Sequence, residues 1–293
     1  MKKILGSIVA VAGLALVANA QDVNTRLTYQ VSTDGVNWGS SLNVNPGTSI
    51  QVRALLSYIG PGTAAGVGQV IFQPVVSSWT AADTLLTTAG TPGNNGVGPT
   101  GGTRSNPIGT VSDQPGVWGR ITPFGSTSYN TSTFLRGHVG TGTAAGLLRI
   151  ARADVTNWIG EGPTSGALAA NNWNAGGGVN IGQIANPSRL TSDPAFNTAS
   201  QDVVSFKFGF TLSSSTATRS LSISTPSNGI GRNTTAGTSY GLQAARWFAS
   251  TTEVSSSLFG SVEVVGASVN VVPAPASLAL LGLGGLVAGR RRR

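Results

Sequence analysis

Six apolar stretches, alternating or nearly continuous and bounded by glycine, proline or asparagine, constrain this chain to β structure. They are residues 26–31 (RLTYQV), 49–59 (SIQVRALLSYI), 68–76 (GQVIFQPVV), 147–155 (LLRIARADV), 203–212 (VVSFKFGFTL) and 261–272 (SVEVVGASVNVV). The body carries no long amphipathic helical pattern. Asp34-Gly35 and Pro46-Gly47 are turn signals between strand candidates. Short strands with glycine-rich connections predict an all-β, antiparallel β-sandwich, built as one large unit or as two duplicated β units. Residues 89–109 and 161–201 are polar and glycine-rich and are expected to be long, exposed, mobile loops.

Composition narrows how such a sandwich is held together. Charged residues make up 10% of the chain, where about 25% is usual, so Ser, Thr, Asn and backbone must supply the surface polarity. With 0 cysteines there are no disulfides, and burial alone has to stabilise the fold. One regularity suggests duplication. Gly62-Thr63-Ala64-Ala65-Gly66 recurs as Gly142-Thr143-Ala144-Ala145-Gly146, and Trp38-Gly39 matches Trp118-Gly119 at the same offset. Residues 38–79 and 118–158 are the candidate repeat units.

Both ends read as addresses. Met1-Lys2-Lys3 is a positive start, residues 4–17 are apolar, and Ala18-Asn19-Ala20 precedes Gln21 as a small-residue cleavage site, so residues 1–20 are expected to be a signal peptide with an N-terminal helix. With no twin arginine and no cysteine after the cut, the general secretory translocon (Sec) is the expected partner. Residues 21–271 form the exported all-β domain, and residues 272–293 are a segment of a different kind. Val272, Pro273, Ala274 and Pro275 lead into a Leu/Gly/Ala run that ends on Arg290, Arg291, Arg292 and Arg293. As a helix, residues 276–289 would reach about 21 Å against a hydrocarbon core of about 30 Å. That is a marginal span, better suited to a transient tether than to a permanent anchor. The four arginines would stop transfer and stay on the cytoplasmic side.

The three-part layout of the tail resembles the PEP-CTERM sorting segment of exported proteins of Gram-negative bacteria. The resemblance implies recognition by an exosortase-like membrane protease, cleavage near the Pro-x-Pro motif, and delivery of the body to the cell surface or an exopolysaccharide matrix. Ala274 departs from the family's commonest motif, which has glutamate there, and this leaves the processing-enzyme subtype open. The resemblance covers residues 272–293 and implies nothing about the body.

Removing the ends also removes the apparent basicity. Of 18 basic residues, Lys2, Lys3 and the four terminal arginines leave, and 12 remain against 10 acids, a net charge of about +2. A nucleic-acid partner is therefore not expected.

Little in the body points to catalysis, and no enzyme, metal or cofactor is expected. His138 is the sole histidine, which excludes two-histidine metal sites, and no cysteine nucleophile exists. Asp154 and Glu161 flank Trp158 and are the nearest approach to a glycosidase pair. Asp193, Asn197 and Asp202 offer hard oxygens for calcium, with no EF-hand spacing. Residues 32–38 (STDGVNW) resemble the Asp-box turn of sialidase-like propellers but are one residue short, and in a single copy they read as a β-hairpin turn packed by Trp38. The six tryptophans are expected mostly in the core, with a carbohydrate-stacking face as the alternative. The functional expectation is an envelope or matrix protein with a structural, adhesive or exopolysaccharide-associated role. A carbohydrate-binding module is the alternative and a secreted hydrolase the third reading.

Overall fold

The computed structural model describes residues 22–86, 107–111, 118–120, 135–140, 145–152, 179–182, 202–215, 217–226, 234–235, 238–239, 245–250, 252–253 and 257–272. These form strands throughout. In chain order they are β1 (Val23–Ser32), β2 (Ser41–Val44), β3 (Ser49–Tyr58), β4 (Gly66–Phe72), β5 (Val75–Val76), β6 (Thr84–Leu85), β7 (Pro107–Val111), β8 (Gly119–Arg120) and β9 (Leu135–Val139). They continue with β10 (Leu148–Arg152), β11 (Val179–Gly182), β12 (Val203–Thr211), β13 (Arg219–Ser224), β14 (Thr234–Thr235), β15 (Thr238–Ser239), β16 (Ala245–Phe248), β17 (Leu258–Val265) and β18 (Ala267–Val271). One large sheet runs β11-β4-β16-β17-β1-β3-β12-β6 with β8 also paired to β12, the second runs β2-β18-β13-β5-β10-β9-β7, and β14 and β15 pair as a separate two-stranded sheet. The expected all-β sandwich is what forms.

Each of the six predicted runs contributes strand. Two of them are split between the sheets. In residues 68–76 the break falls at Gln73-Pro74, after which β5 joins the second sheet; Pro74 has no N–H to give a ladder, but its carbonyl accepts Ile150 N at 2.9 Å. In residues 261–272 the break is Gly266, where the chain leaves β17 in one sheet for β18 in the other. Most pairings are antiparallel. The exceptions are β1 with β17 and β2 with β18, both parallel. Pairs β1–β2 and β17–β18 each cross from the first sheet to the second, so the two crossings lie side by side and the first two described strands pair with the last two.

Two expectations for loops are corrected. Val179–Gly182, inside the predicted loop 161–201, pairs antiparallel with β4, and Val179 is fully buried. Pro107–Val111 overlaps the end of the predicted loop 89–109 and pairs with β9. Short strands on the edges of a sheet need only one apolar anchor, which leaves too little alternation to read from sequence. The other residues of those loops lie outside the described residues.

The core lies between the facing sides of the sheets. Leu27, Tyr29 and Val31 of β1, Ile50, Val52, Ala54 and Leu56 of β3, and Phe206, Phe208 and Phe210 of β12 meet Leu148, Ile150, Leu221, Ile223 and Val269. A bulge between Val204 and Phe206 keeps the three phenylalanines on the inner face, and the Ser205 hydroxyl at the bulge donates to the Ala54 carbonyl at 3.0 Å. Trp79 packs edge-on to Phe210 with centroids 5.6 Å apart, and Trp247 lies 5.5 Å from Tyr58. A polar bond also joins the layers. Thr225, just after β13, donates its single hydroxyl hydrogen to the Gln73 carbonyl at 2.9 Å, so in the 2.6 Å contact with Tyr29 the phenol must be the donor.

The candidate repeat units differ in their strand neighbours. In the first, β3 and β4 do not pair; at the matching offset β9 and β10 are antiparallel partners. Much of residues 121–158 lies outside the described residues.

Candidate functional site

Ala18, Ala20, Gln21, Pro273, Ala274, Pro275, Arg290, Arg291, Arg292 and Arg293 lie outside the described residues, as do Asp154, Trp158, Glu161, Asp193 and Asn197. His138 is in β9 opposite Arg149, its side chain outside the description. Of the calcium candidates only Asp202 is among the described residues, and it accepts the Ser57 hydroxyl. Among the described residues no three His, Asp or Glu side chains gather where they could hold a metal ion. Val272 bonds through its N–H to the Val44 carbonyl at 2.9 Å, and its side chain is 48% exposed.

The segment 32–38 folds as a turn organised by one carboxylate. Asp34 Oδ1 accepts Val36 N, Asn37 N and the Ser32 hydroxyl, each at 2.8 Å, and Oδ2 accepts Asn37 Nδ2 at 2.7 Å. Those donors, the Asn37 and Val36 amides first, hold the Asp34 carboxyl far below the usual range. Gly35 takes φ +74°, a conformation open to glycine, and its carbonyl accepts Trp38 Nε1 at 3.0 Å. The expected hairpin is only half formed: Val31 and Gly39 make a single antiparallel bridge, after which the chain crosses to β2 in the other sheet. The turn thus pins the Trp38 indole over the outer face of the first sheet.

What lies under that indole is a row set by strand register. Gln30 of β1 pairs with Arg53 of β3, which pairs with Lys207 of β12, and all three point away from the core. Arg53 Cζ stands 4.5 Å from the centroid of the Trp38 ring system and Lys207 Nζ 5.5 Å from it. Arg53 Nε and Nη2 both donate to Gln30 Oε1, at 2.8 and 2.6 Å. Partial burial pulls the Arg53 pKa down, and the nearby Asp202 carboxylate works against that shift.

A second tryptophan lies one step along the same face. Trp118 precedes β8, whose Gly119 pairs with Lys207. Its ring covers Gly209, two residues beyond Lys207 on β12, where a Cβ would come 2.7 Å from Trp118 Cη2 and 2.9 Å from Leu86 Cδ1. Trp38 and Trp118 are both partly exposed, whereas Trp79 and Trp247 are core. Of the four described tryptophans two are core, as expected of most of the six, and two are partly exposed; the cations beside the exposed pair are no part of that expectation. The available signal was Lys207, a charge in the apolar run of β12, and Arg53, its counterpart in β3.

A separate polar cluster is structural. Asp83, its side chain fully buried, accepts Thr80 N and Ser213 N, both at 2.8 Å, and is paired with Arg219. Burial pushes its carboxyl upward, but Arg219 and the two amides outweigh this and hold it below the usual range. This ties the segment after Trp79 to both sheets.

No family model and no curated protein sequence matches the chain. Among solved structures it is similar to the seventh ScaB type I cohesin from Pseudobacteroides cellulosolvens, at 10% identity and TM-score 0.36, covering 86% of this chain and 94% of that one. It is similar also to a type II cohesin domain from the cellulosome of Acetivibrio cellulolyticus, at 11% identity and TM-score 0.33, covering 84% and 95%. At these TM-scores the likenesses have no functional weight, and the two-sheet sandwich follows from this chain's own strand pairing and burial.

Proposed function

We propose that this protein is an exported component of the cell surface or extracellular matrix, with a structural, adhesive or exopolysaccharide-associated role and no catalytic one. In this reading the Sec translocon exports it, residues 276–289 tether it briefly, and an exosortase-like membrane protease cuts near Pro273, Ala274 and Pro275. One observation carries the reading beyond the tail's sequence: the strands fit between the two expected cuts. The central strand β1 begins at Val23, just after Gln21, and β18 is held between β2 and β13 and ends at Val271, just before the motif. Both cuts would leave every described strand in place.

The test compares cells producing the full-length protein with cells producing a chain that stops at Val272, in a Gram-negative host that has an exosortase. Cell-fraction immunoblots and mass spectrometry of the mature C-terminus are the readouts. The full-length chain should lose its tail near residues 273–275 and reach the surface or matrix, while the truncated chain should distribute differently. The same distribution for both, or an intact Arg293 terminus on the surface form, would reject the sorting assignment.

A further inference from the structure

We propose that the outer face of the nine-stranded sheet around Trp38, Trp118, Arg53 and Lys207 binds a polysaccharide that bears carboxylate groups, such as a polyuronate. The proposal rests on the matrix reading above and names its ligand class. The face has the two components such a ligand needs. A pyranose ring presents an apolar C–H face, and an indole offers flat apolar area to match it. Trp38 spends its N–H on the Gly35 carbonyl, so what it offers a ligand is ring surface. Trp118 covers Gly209, two residues along β12 from Lys207, which sets the two platforms on successive outward positions about 7 Å apart along the strand. A chain of linked sugars meets both; a single small anion meets neither.

The polarity of the ligand follows from which hydrogen-bonding groups are already occupied. Asp34 is filled by the four donors of its own turn, and Asp202 takes the Ser57 hydroxyl and lies in the field of Arg53. Arg53 gives two of its nitrogens to Gln30. Lys207 has no hydrogen-bond or ion-pair partner among the described residues; its ammonium is held beside the Trp38 ring and nothing more. Among the described residues, cationic donors with room for an acceptor thus lie next to aromatic planes on this face. A carboxylate on a sugar ring satisfies the donors while the ring stacks. A neutral glycan would use only the platforms.

The mature protein, isolated from producing cells, is titrated with polygalacturonate, dextran, poly-glutamate and oligo-dT at low salt, followed by calorimetry and tryptophan fluorescence. Polygalacturonate should bind with a change in tryptophan emission, and the other three should bind about tenfold more weakly or not at all. Lys207→Gln removes an amine that has no hydrogen-bond or ion-pair partner among the described residues, and it should weaken polygalacturonate binding by about tenfold with an unchanged melting temperature. Trp118→Ala should weaken it as well, and Lys207→Gln decides the matter if that variant does not fold. Equal binding of poly-glutamate or oligo-dT, tighter binding of dextran, no binding of polygalacturonate, or full affinity in Lys207→Gln would each overturn the site. Those results leave the sorting test untouched, since it reads tail cleavage and cell fraction; conversely, unaltered sorting of the truncated chain would not bear on the titration.

Discussion

Tyr29 and Asp83 show how single polar groups are kept inside a sandwich that has few charges to spare. Burial pushes the Tyr29 phenol far above its ordinary pKa, against the opposing Thr225 bond, so it remains a neutral donor at all working pH values. In Tyr29→Phe, Thr225 keeps its bond to Gln73 and no buried group is orphaned, so the loss should be about 1 kcal/mol. Thr225→Val has the same bulk but strands the Tyr29 hydroxyl and removes the Thr225 bond to the Gln73 carbonyl, and should cost about 2–4 kcal/mol. Urea unfolding of the two variants checks the order; a Tyr29→Phe loss as large as that of Thr225→Val would show the donor assignment to be wrong. For Asp83 the folded pKa lies below the unfolded value, so its stabilising contribution is present above about pH 3.9 and is lost as pH falls from there through the folded pKa. Asp83→Asn breaks a buried pair and should cost about 3–5 kcal/mol at neutral pH. Its stability should also fall less steeply than that of the unaltered protein between about pH 4 and pH 2, a difference that urea midpoints across that range measure.

Strand β12 brings core and outer face into one element. Its inward positions hold Phe206, Phe208 and Phe210; its outward positions hold Lys207 and Gly209. Gly209 is there because Trp118 and Leu86 occupy the space a side chain would need, and the Ile50 carbonyl lies 3.0 Å from where a Cβ would sit. Gly209→Ala should therefore lower stability by about 1–3 kcal/mol and increase the solvent exposure of Trp118, which acrylamide quenching would register. The alternation that creates this division of labour is legible in the sequence: the apolar residues of 203–212 and 49–59 recur with a period of two, which predicts strands. Other features were not legible, because they depend on partners far away in sequence. Nothing local at Gln73-Pro74 or Gly266 says that the next strand joins the opposite sheet, since apolar residues continue on both sides. Lys207, Arg53 and Trp38 share a row only through cross-strand register, and no single window of sequence contains them. The packing of the Asp34 turn by Trp38 is legible in residues 32–38, whereas the crossing of the next strand, β2, to pair with β18 is not.

At the scale of the whole molecule, the parallel pairing of β1 with β17 and of β2 with β18 makes the terminal strands a common structural seam. The exposed Arg26–Glu263 ion pair across it, at 3.4 Å and with side chains 45% and 44% exposed, adds little. The seam is held instead by ladder hydrogen bonds and by burial of Leu27, Val269 and Val271. Strand β18 has neighbours on both sides, so removing it opens the second sheet between β2 and β13 and exposes core formed by β1. The proposed sorting segment would begin where that seam ends, at Val272. A chain ending at Val272 should therefore melt within about 2 °C of the full-length chain, while a chain ending at Gly266 should show no cooperative transition, because deleting two fully or nearly fully buried valines and a strand paired on both sides exceeds the margin of a domain stable by about 5–15 kcal/mol. Thermal scans followed by circular dichroism separate the two cases. If the chain ending at Val272 unfolded like the one ending at Gly266, the tail would be part of the fold and could not be a segment whose cleavage leaves the body intact.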